Sequence, residues 1–223
     1  MQQIITIDGP AGSGKSTTAR LVAQALNWQY LDTGAMYRAI GLAMVRSGID
    51  PTDEAAVCAN LDRHTVDLGP GDPPVTLLNG EDVSGFIRTP DAAQASSQVA
   101  AIGCVREKLV AAQRRIGAER PCVLEGRDTG TVVFPDAGLK IYLDAPVRMR
   151  AERRLKDLGD NPGMSLDEMV REVEIRDERD RNRSVSPLGR AEDAVIVDTG
   201  GLTIEQQVER VLELARSRFG LDS

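Results

Sequence analysis

An apolar, β-branched run, Ile4-Ile5-Thr6-Ile7, leads directly into Gly9-Pro10-Ala11-Gly12-Ser13-Gly14-Lys15-Ser16, and a helical pattern follows from Ser16 to Leu26. The loop has the spacing G-x-x-x-x-G-K-[ST], and its setting constrains the fold more than its letters do. A buried strand that feeds a glycine turn opening onto a helix is the first unit of a nucleotide-binding α/β sheet. A chance glycine-rich loop would have no reason to show strand, turn and helix in that order. Glycine tolerates backbone angles that a side chain forbids, so successive N–H groups can turn inward around a phosphate. The helix N-terminus adds unpaired donors and a positive dipole end. Lys15 then supplies a point charge for the β- and γ-phosphates, and Ser16 a hydroxyl for Mg²⁺. Gly9, Pro10, Ala11, Gly12, Ser13, Gly14, Lys15, Ser16 and Thr17 are the expected ATP-binding residues, with Ser16 the candidate metal ligand.

Four more strand-like runs follow: Trp28–Leu31, Cys122–Glu125, Lys140–Asp144 and Val195–Asp198. Continuous apolar strands alternating with helical stretches predict a parallel five-stranded sheet with helices on both faces. Thr203-Ile204-Glu205-Gln206 has capping-box spacing and opens a final helix with Ile204, Val208, Val211, Leu212 and Ala215 on one face. Two stretches break the alternation. From His64 to Val83 the runs are short, and Asn79-Gly80 between apolar residues predicts a type I′ hairpin; Gly69–Pro74 is a helix-breaking link. From Pro146 to Arg190 the chain is dense in charge of both signs. Arg176, Asp180 and Arg183 are spaced to share a helix face, and Arg150, Arg153 and Arg154 project from an earlier turn. A solvated helix pair with i,i+4 ion pairs explains much of this stretch, but a lid that closes on phosphates also explains its arginines. The expected division is a P-loop core of residues 1–63, 84–145 and 191–223, a β-rich insertion at 64–83, and an arginine-rich helical lid at 146–190.

With 223 residues the chain holds one large domain or a core with insertions, at about 150 residues per domain. Its 34 acidic against 27 basic residues give a formal net charge of −7, which disfavours nucleic acid as the main partner. Met1-Gln2-Gln3 passes straight into a strand, leaving no room for a signal peptide, and no apolar run approaches the roughly 18 residues of a membrane span. Cys58, Cys104 and Cys122 are odd in number, far apart and without C-x-x-C, so free thiols in a reducing cytoplasm are expected. His64, at an expected strand start, lacks partner ligands for zinc. No heptad array or large apolar stripe is visible, so a monomer is expected.

In parallel sheets ligands lie beyond the carboxyl ends of the strands. After the second run come Asp32-Thr33-Gly34-Ala35-Met36-Tyr37-Arg38. Asp32 and Thr33 can cap a helix starting near Ala35, or else hydroxyl, helix end and the Arg38 guanidinium form a second anion cradle. After the third come Glu125-Gly126-Arg127-Asp128-Thr129-Gly130, either a structural ion pair or a ligand-edge pair. These blocks, with Ser96-Ser97-Gln98-Val99-Ala100, Val105-Arg106 and Arg176-Asp177-Glu178-Arg179-Asp180-Arg181-Asn182-Arg183, run in order through almost the whole chain and resemble the bacterial cytidylate kinases. Thr33 stands where that family often has serine, and Glu125 where many members have aspartate, which leaves the role of Glu125 open.

The resemblance implies a nucleoside monophosphate kinase fold with a lid and an enlarged monophosphate-binding insertion, and transfer of the γ-phosphoryl group of ATP to CMP or dCMP. It implies that Ser97, Arg106 and Asp128 approach the cytosine edge, that Arg176 and Asp180 contact the ribose, and that Thr33, Arg38, Arg127 and Arg183 surround the acceptor phosphate. Lys15, Arg127, Asp128 and Arg183 are the implied catalytic set, with Mg²⁺ accompanying ATP, while Arg150, Arg153 and Arg154 are weaker donor-side candidates. A kinase of UMP, AMP or another small acceptor would share the P-loop. A GTP switch would use Asp198-Thr199-Gly200-Gly201 as D-x-x-G, but no N-K-x-D is present. An ATP-binding module without chemistry is disfavoured by the presence of both Lys15 and Ser16.

Overall fold

The computed structural model describes residues 3–159, 163–183 and 185–221; of the expected lid stretch, residues 160–162 and 184 lie outside these. Strand β1 (Ile4–Asp8) is buried at all five positions, as a strand covered on both faces must be. The P-loop follows, then α1 (Lys15–Leu26), and β2 (Gln29–Asp32), α2 (Thr33–Arg46) and α3 (Glu54–Asn60). The short strands β3 (Val66–Leu68), β4 (Thr76–Leu78) and β5 (Glu81–Asp82) come next, followed by α4 (Pro90–Val99) and α5 (Gly103–Ala118). Strand β6 (Cys122–Gly126) leads through a wide turn at Thr129–Val133 to β7 (Leu139–Asp144), α6 (Val147–Asp157), α7 (Leu166–Asn182), β8 (Val195–Asp198) and α8 (Ile204–Phe219).

The five long strands form the expected sheet, in the order β2-β6-β1-β7-β8, with β1 paired in parallel to both β6 and β7, and β7 to β8. The central position of β1 places the P-loop over the middle of the sheet's carboxyl edge. The first four strand runs read from sequence differ from the observed strands by no more than a residue at either end, and the last coincides. The capping box at Thr203 is present and starts α8.

The chain divides into two compact units, Met1–Gln29 with Pro121–Ser223, and Tyr30–Arg120. Within the first, α6 and α7 pack through Ala151, Met169 and Val173, with Val147, Leu155, Leu166 and Val170 around them. Apolar residues at helical spacing therefore hold together two helices whose other positions are nearly all charged. The capping box of Ser165 with Glu168 starts α7. The helix stops at Asn182. Arg183 is its cap, with extended backbone (ψ 139°), so only Arg176 and Asp180 of the expected trio lie on the helix itself.

Within the second unit, β3, β4 and β5 form the expected antiparallel sheet, and the Asn79-Gly80 turn has both φ angles positive (50° and 84°), as a type I′ hairpin requires. His64 sits two residues before β3, with its ring Nδ1 3.4 Å from Asn79 Nδ2. Met36, Ile40 and Met44 of α2 and Ala92, Ala95 and Val99 of α4 are buried where these helices pack. The expectation of three free thiols is corrected here: Cys58 of α3 and Cys104 of α5 form a disulfide, Cα to Cα 6.0 Å, while Cys122 is a buried cysteine outside that bond. The partners are 46 residues apart, and nothing local in either helix announces that the two meet. At the same junction Lys108 Nζ donates to the Leu61 carbonyl and pairs with Asp62.

Closing a loop of that size removes unfolded-state entropy, a contribution of about 2–4 kcal/mol. Reduction of the bond, or Cys58→Ser, is expected to lower the denaturant midpoint of the chain correspondingly, and an unchanged midpoint in urea melts with and without a dithiol would show that the bond contributes nothing.

Candidate active site

The P-loop is shaped by Gly12 (φ 77°) and Gly14 (φ 91°), whose left-handed backbone turns the chain back on itself into α1. Gly14 caps the helix and no side chain does, so the first amides of α1 are left for an anion. The Ser13 hydroxyl is buried with no hydrogen-bond partner among the described residues. Lys15 is buried, and its ammonium donates to the Pro10 carbonyl at 3.2 Å, folded back across the loop. Burial, and then the Arg127 charge, drive its pKa from 10.5 down to about 7; Arg176 adds to this while Glu125 and Asp180 oppose it. Ser16 Oγ donates to Glu125 Oε1 at 2.8 Å, so the residue whose role the sequence leaves open holds the expected metal-binding hydroxyl.

Past the end of β6, the Arg127 Nε donates to Asp180 Oδ2 at 2.8 Å. Burial alone would lower the Arg127 pKa, but the charge and hydrogen bond of Asp180, with Glu125 and Asp177, raise it instead. Burial acts the other way on Asp180, and the Arg127 guanidinium, helped by Arg176 and Arg183, holds it below the usual carboxylate range. Arg183 Nη2 stands 3.5 Å from Asp128 Oδ1, and both side chains are buried. The first unit therefore brings together Lys15, Ser16, Arg127, Asp128, Arg176, Asp180 and Arg183, gathered from β1's loop, the end of β6 and α7.

Behind the loop is a clamp that includes residues not singled out in the sequence. Asp177 Oδ1 accepts from the Ala11 N–H at 3.3 Å, and Arg150 Nη1 donates to the Ala11 carbonyl at 2.9 Å. The two side chains pair at 2.6 Å, almost wholly buried, and Arg150 Nε also donates to the Ala145 carbonyl. Arg153 donates to the Thr199 hydroxyl and carbonyl, and Thr199 Oγ1 to the Ser13 carbonyl. Arg150 and Arg153 are thus engaged with backbone and side-chain groups around the P-loop, and Arg154 is half-buried on α6. Asp177 could have been found as a carboxylate directly following Arg176 in the run that carries the resemblance.

In the second unit Asp32 caps α2, accepting from the Ala35 N–H, and pairs with Arg38 at 2.8 Å. Thr33 is buried as the first residue of α2, two positions earlier than the expected start, and the Arg38 Nε is buried without a partner among the described residues. Ser97 is half-buried on α4. Arg106 of α5 is one of the largest fully buried side chains, donating to the Ala100 carbonyl with its guanidinium 5.3 Å from the Tyr37 ring centre. The D-x-x-G run is accounted for structurally: Asp198 Oδ1 accepts from the Gly200 N–H in the turn that leaves β8, and Thr199 supports the P-loop.

The family model described as cytidylate kinase matches residues 5–217. The cytidylate kinase of Enterobacter sp. (strain 638) is 46% identical over 98% of this chain and 97% of its own length, and that of Citrobacter koseri 45% over the same shares. Among solved structures, an uncharacterized protein from Eubacterium ventriosum superposes with a TM-score of 0.55 at 12% identity, covering 96% of this chain and 99% of the other. A shikimate kinase from Bacteroides thetaiotaomicron superposes at 0.50 and 13% identity, covering 95% and 97%. At such identities these structures speak to the fold alone. The match across nearly the full length to the family and to its members shows that the chain belongs to the cytidylate kinases.

Proposed function

We propose that the chain transfers the γ-phosphoryl group of ATP to CMP or dCMP, releasing ADP and CDP or dCDP, with Mg²⁺ accompanying the donor. The observation that carries this reading is the gathering of Lys15, Arg127 and Arg176 with their carboxylate partners beside a P-loop whose helix end no side chain caps. Phosphoryl transfer asks little covalent work of a protein; it needs alignment and neutralisation of charge on the transferring group. Lys15 and the P-loop amides hold the donor, and the unpartnered Ser13 hydroxyl is a spare donor in the same cradle. Ser16, with Glu125 behind it, offers hard oxygen ligands that suit Mg²⁺, which when bound neutralises phosphate charge. Among the described residues no cluster of three or more His, Cys, Asp or Glu could hold a metal, consistent with an ion that takes most of its ligands from phosphate and water.

Thr33, Arg38, Arg127 and Arg183 are assigned to the acceptor phosphate, and the unpartnered Arg38 Nε is a donor suited to that role. Arg176 and Asp180 are assigned to the ribose. Ser97, Arg106 and Asp128 are assigned to the cytosine edge, where a carboxylate accepts from the exocyclic amine and repels the oxygen that uracil carries there. The α6–α7 pair is assigned the part of the lid. The acceptor phosphate is already anionic near neutral pH, its second pKa being about 6, so no general base is required. We place the activity within pyrimidine nucleotide metabolism, with the chain acting as a monomer. Its acidic balance supports small-molecule substrates over nucleic acid.

A coupled ADP-release assay with ATP and Mg²⁺ across CMP, dCMP, UMP and AMP is expected to show turnover with the two cytidine nucleotides well above the others; a preference for UMP or AMP would refute the base assignment. Lys15→Ala is expected to abolish ADP formation in a folded chain, and unchanged turnover would remove the donor site. The low pKa of Lys15 adds a third outcome. Above pH 7 the nucleotide-free lysine is largely neutral, and bound phosphates favour its charged form, so binding draws in a proton. Calorimetry at pH 8 without divalent ions, in buffers of differing ionisation enthalpy, is expected to show uptake of close to one proton, with affinity falling as pH rises above 7. Binding with no proton uptake would contradict the neutral lysine.

A further inference from the structure

Asp8 closes β1 where the P-loop begins, and the ladder to β6 reaches its last rung there, with Asp8 opposite Gly126. Beyond that rung the chain leaves the sheet as Arg127-Asp128-Thr129-Gly130, and strand pairing no longer directs it. One carboxylate takes over. Asp8 Oδ1 accepts from both the N–H and the hydroxyl of Thr129 at 2.9 Å, and Oδ2 accepts from the Gly130 N–H at 2.8 Å. The fit is close: a Cβ on Gly130 would lie 2.7 Å from Thr6 Oγ1 and 3.3 Å from Asp8 Oδ2.

Asp8 is 4% exposed, and such a position is costly for a carboxylate. Desolvation raises its pKa to about 6 even though all three hydrogen bonds lower it. Simple packing at a strand end would be served by an apolar residue, like Ile4, Ile5 and Ile7 of β1. What an apolar residue cannot do is gather two successive amides and a hydroxyl at one point, with the strength of a charged acceptor.

We propose that Asp8 is a positioning residue for phosphoryl transfer: by fixing Thr129 and Gly130 it sets the direction of Arg127 and Asp128, and so aligns the acceptor with the P-loop that starts one residue later. This rests on the assignment of Arg127 and Asp128 to the acceptor. Asp8 touches no reacting atom; it acts through the segment it holds. The donor loop and the acceptor contacts then share one anchor, so an error in that anchor misplaces one against the other.

The experiment compares Asp8→Asn, Thr129→Val and, as reference, Asp128→Asn. Each is measured for kcat/KM with CMP and with UMP, and for ATP affinity by equilibrium titration of the folded protein. Asparagine removes the charge and turns an NH₂ toward a backbone N–H, whereas valine removes one of three donors and leaves both amides. Asp8→Asn is expected to lose about 10²-fold in kcat/KM for CMP, as a displacement near 1 Å does. Thr129→Val is expected to lose about 3–10-fold, the range of one hydrogen bond. In both, ATP affinity stays within about twofold and the CMP:UMP ratio falls in the same direction as in Asp128→Asn. Should Asp8→Asn not fold, Thr129→Val decides alone. Wild-type kcat/KM and CMP:UMP ratio in the folded variants would overturn the proposal, as would an equal loss of ATP affinity and CMP turnover at a constant ratio. An unchanged ratio in Asp128→Asn would instead remove the cytosine assignment, while the loss of CMP turnover at constant ATP affinity in Thr129→Val would still decide the positioning.

Discussion

A phosphate cradle built from main-chain amides has no side chains of its own to hold its shape, so its geometry must be imposed from outside. Here the backbone of Ala11 is held at both its polar groups, by Asp177 at the N–H and Arg150 at the carbonyl, while the Ser13 carbonyl is held by Thr199. These contacts come from α6, α7 and the turn after β8, which are remote in sequence from the loop. The buried Arg150–Asp177 pair is weak evidence for stability, since desolvating two charges offsets most of their attraction. Its better-supported role is specification: two paired side chains, one on each polar group of Ala11, hold the two peptide units that flank that residue in one orientation. The same pair ties the P-loop to the helix that carries Arg176 and Asp180.

The second constraint is charge. The chain is acidic overall, yet the end of the P-loop gathers Lys15, Arg127 and Arg176, and burial, reinforced by the Arg127 and Arg176 charges, drives the lysine toward its neutral form. A site in that condition is held short of negative charge. The carboxylates of Asp180 and Glu125 relieve part of the imbalance, which is why Arg127 stays firmly charged although it is buried. Polyanionic substrates supply what the protein alone does not.

Features whose cause is local in sequence could be read from it. The glycine loop follows its strand directly, Asn79-Gly80 demands positive φ angles, and Thr203 with Gln206 caps the helix they begin. The strand runs are legible chiefly from their apolar, β-branched residues, such as Ile4, Ile5, Ile7, Val123, Leu124, Ile141 and Leu143. What escaped depends on meetings between distant residues. Ser16 and Glu125 are 109 positions apart, Ala11 and Asp177 166, Asp8 and Gly130 122. The Cys58–Cys104 bond escaped for the same reason. The i+7 spacing puts Arg183 on a helix face only if the helix continues, and it does not: the chain extends at that residue, where its guanidinium reaches Asp128.

The carboxylates of this site share one property that bears on how it works. Glu125 accepts from Ser16, Asp177 from Ala11 and Arg150, Asp180 from Arg127, and Asp8 from Thr129 and Gly130, while Asp128 faces Arg183. None is poised as a lone base, and none needs to be, because a phosphate acceptor arrives already deprotonated. Each acid instead fixes a donor: a hydroxyl, a main-chain amide or a guanidinium. The division of labour follows from the reaction: in phosphoryl transfer the developing charge is negative, so cations and amides act on it directly and carboxylates act on them.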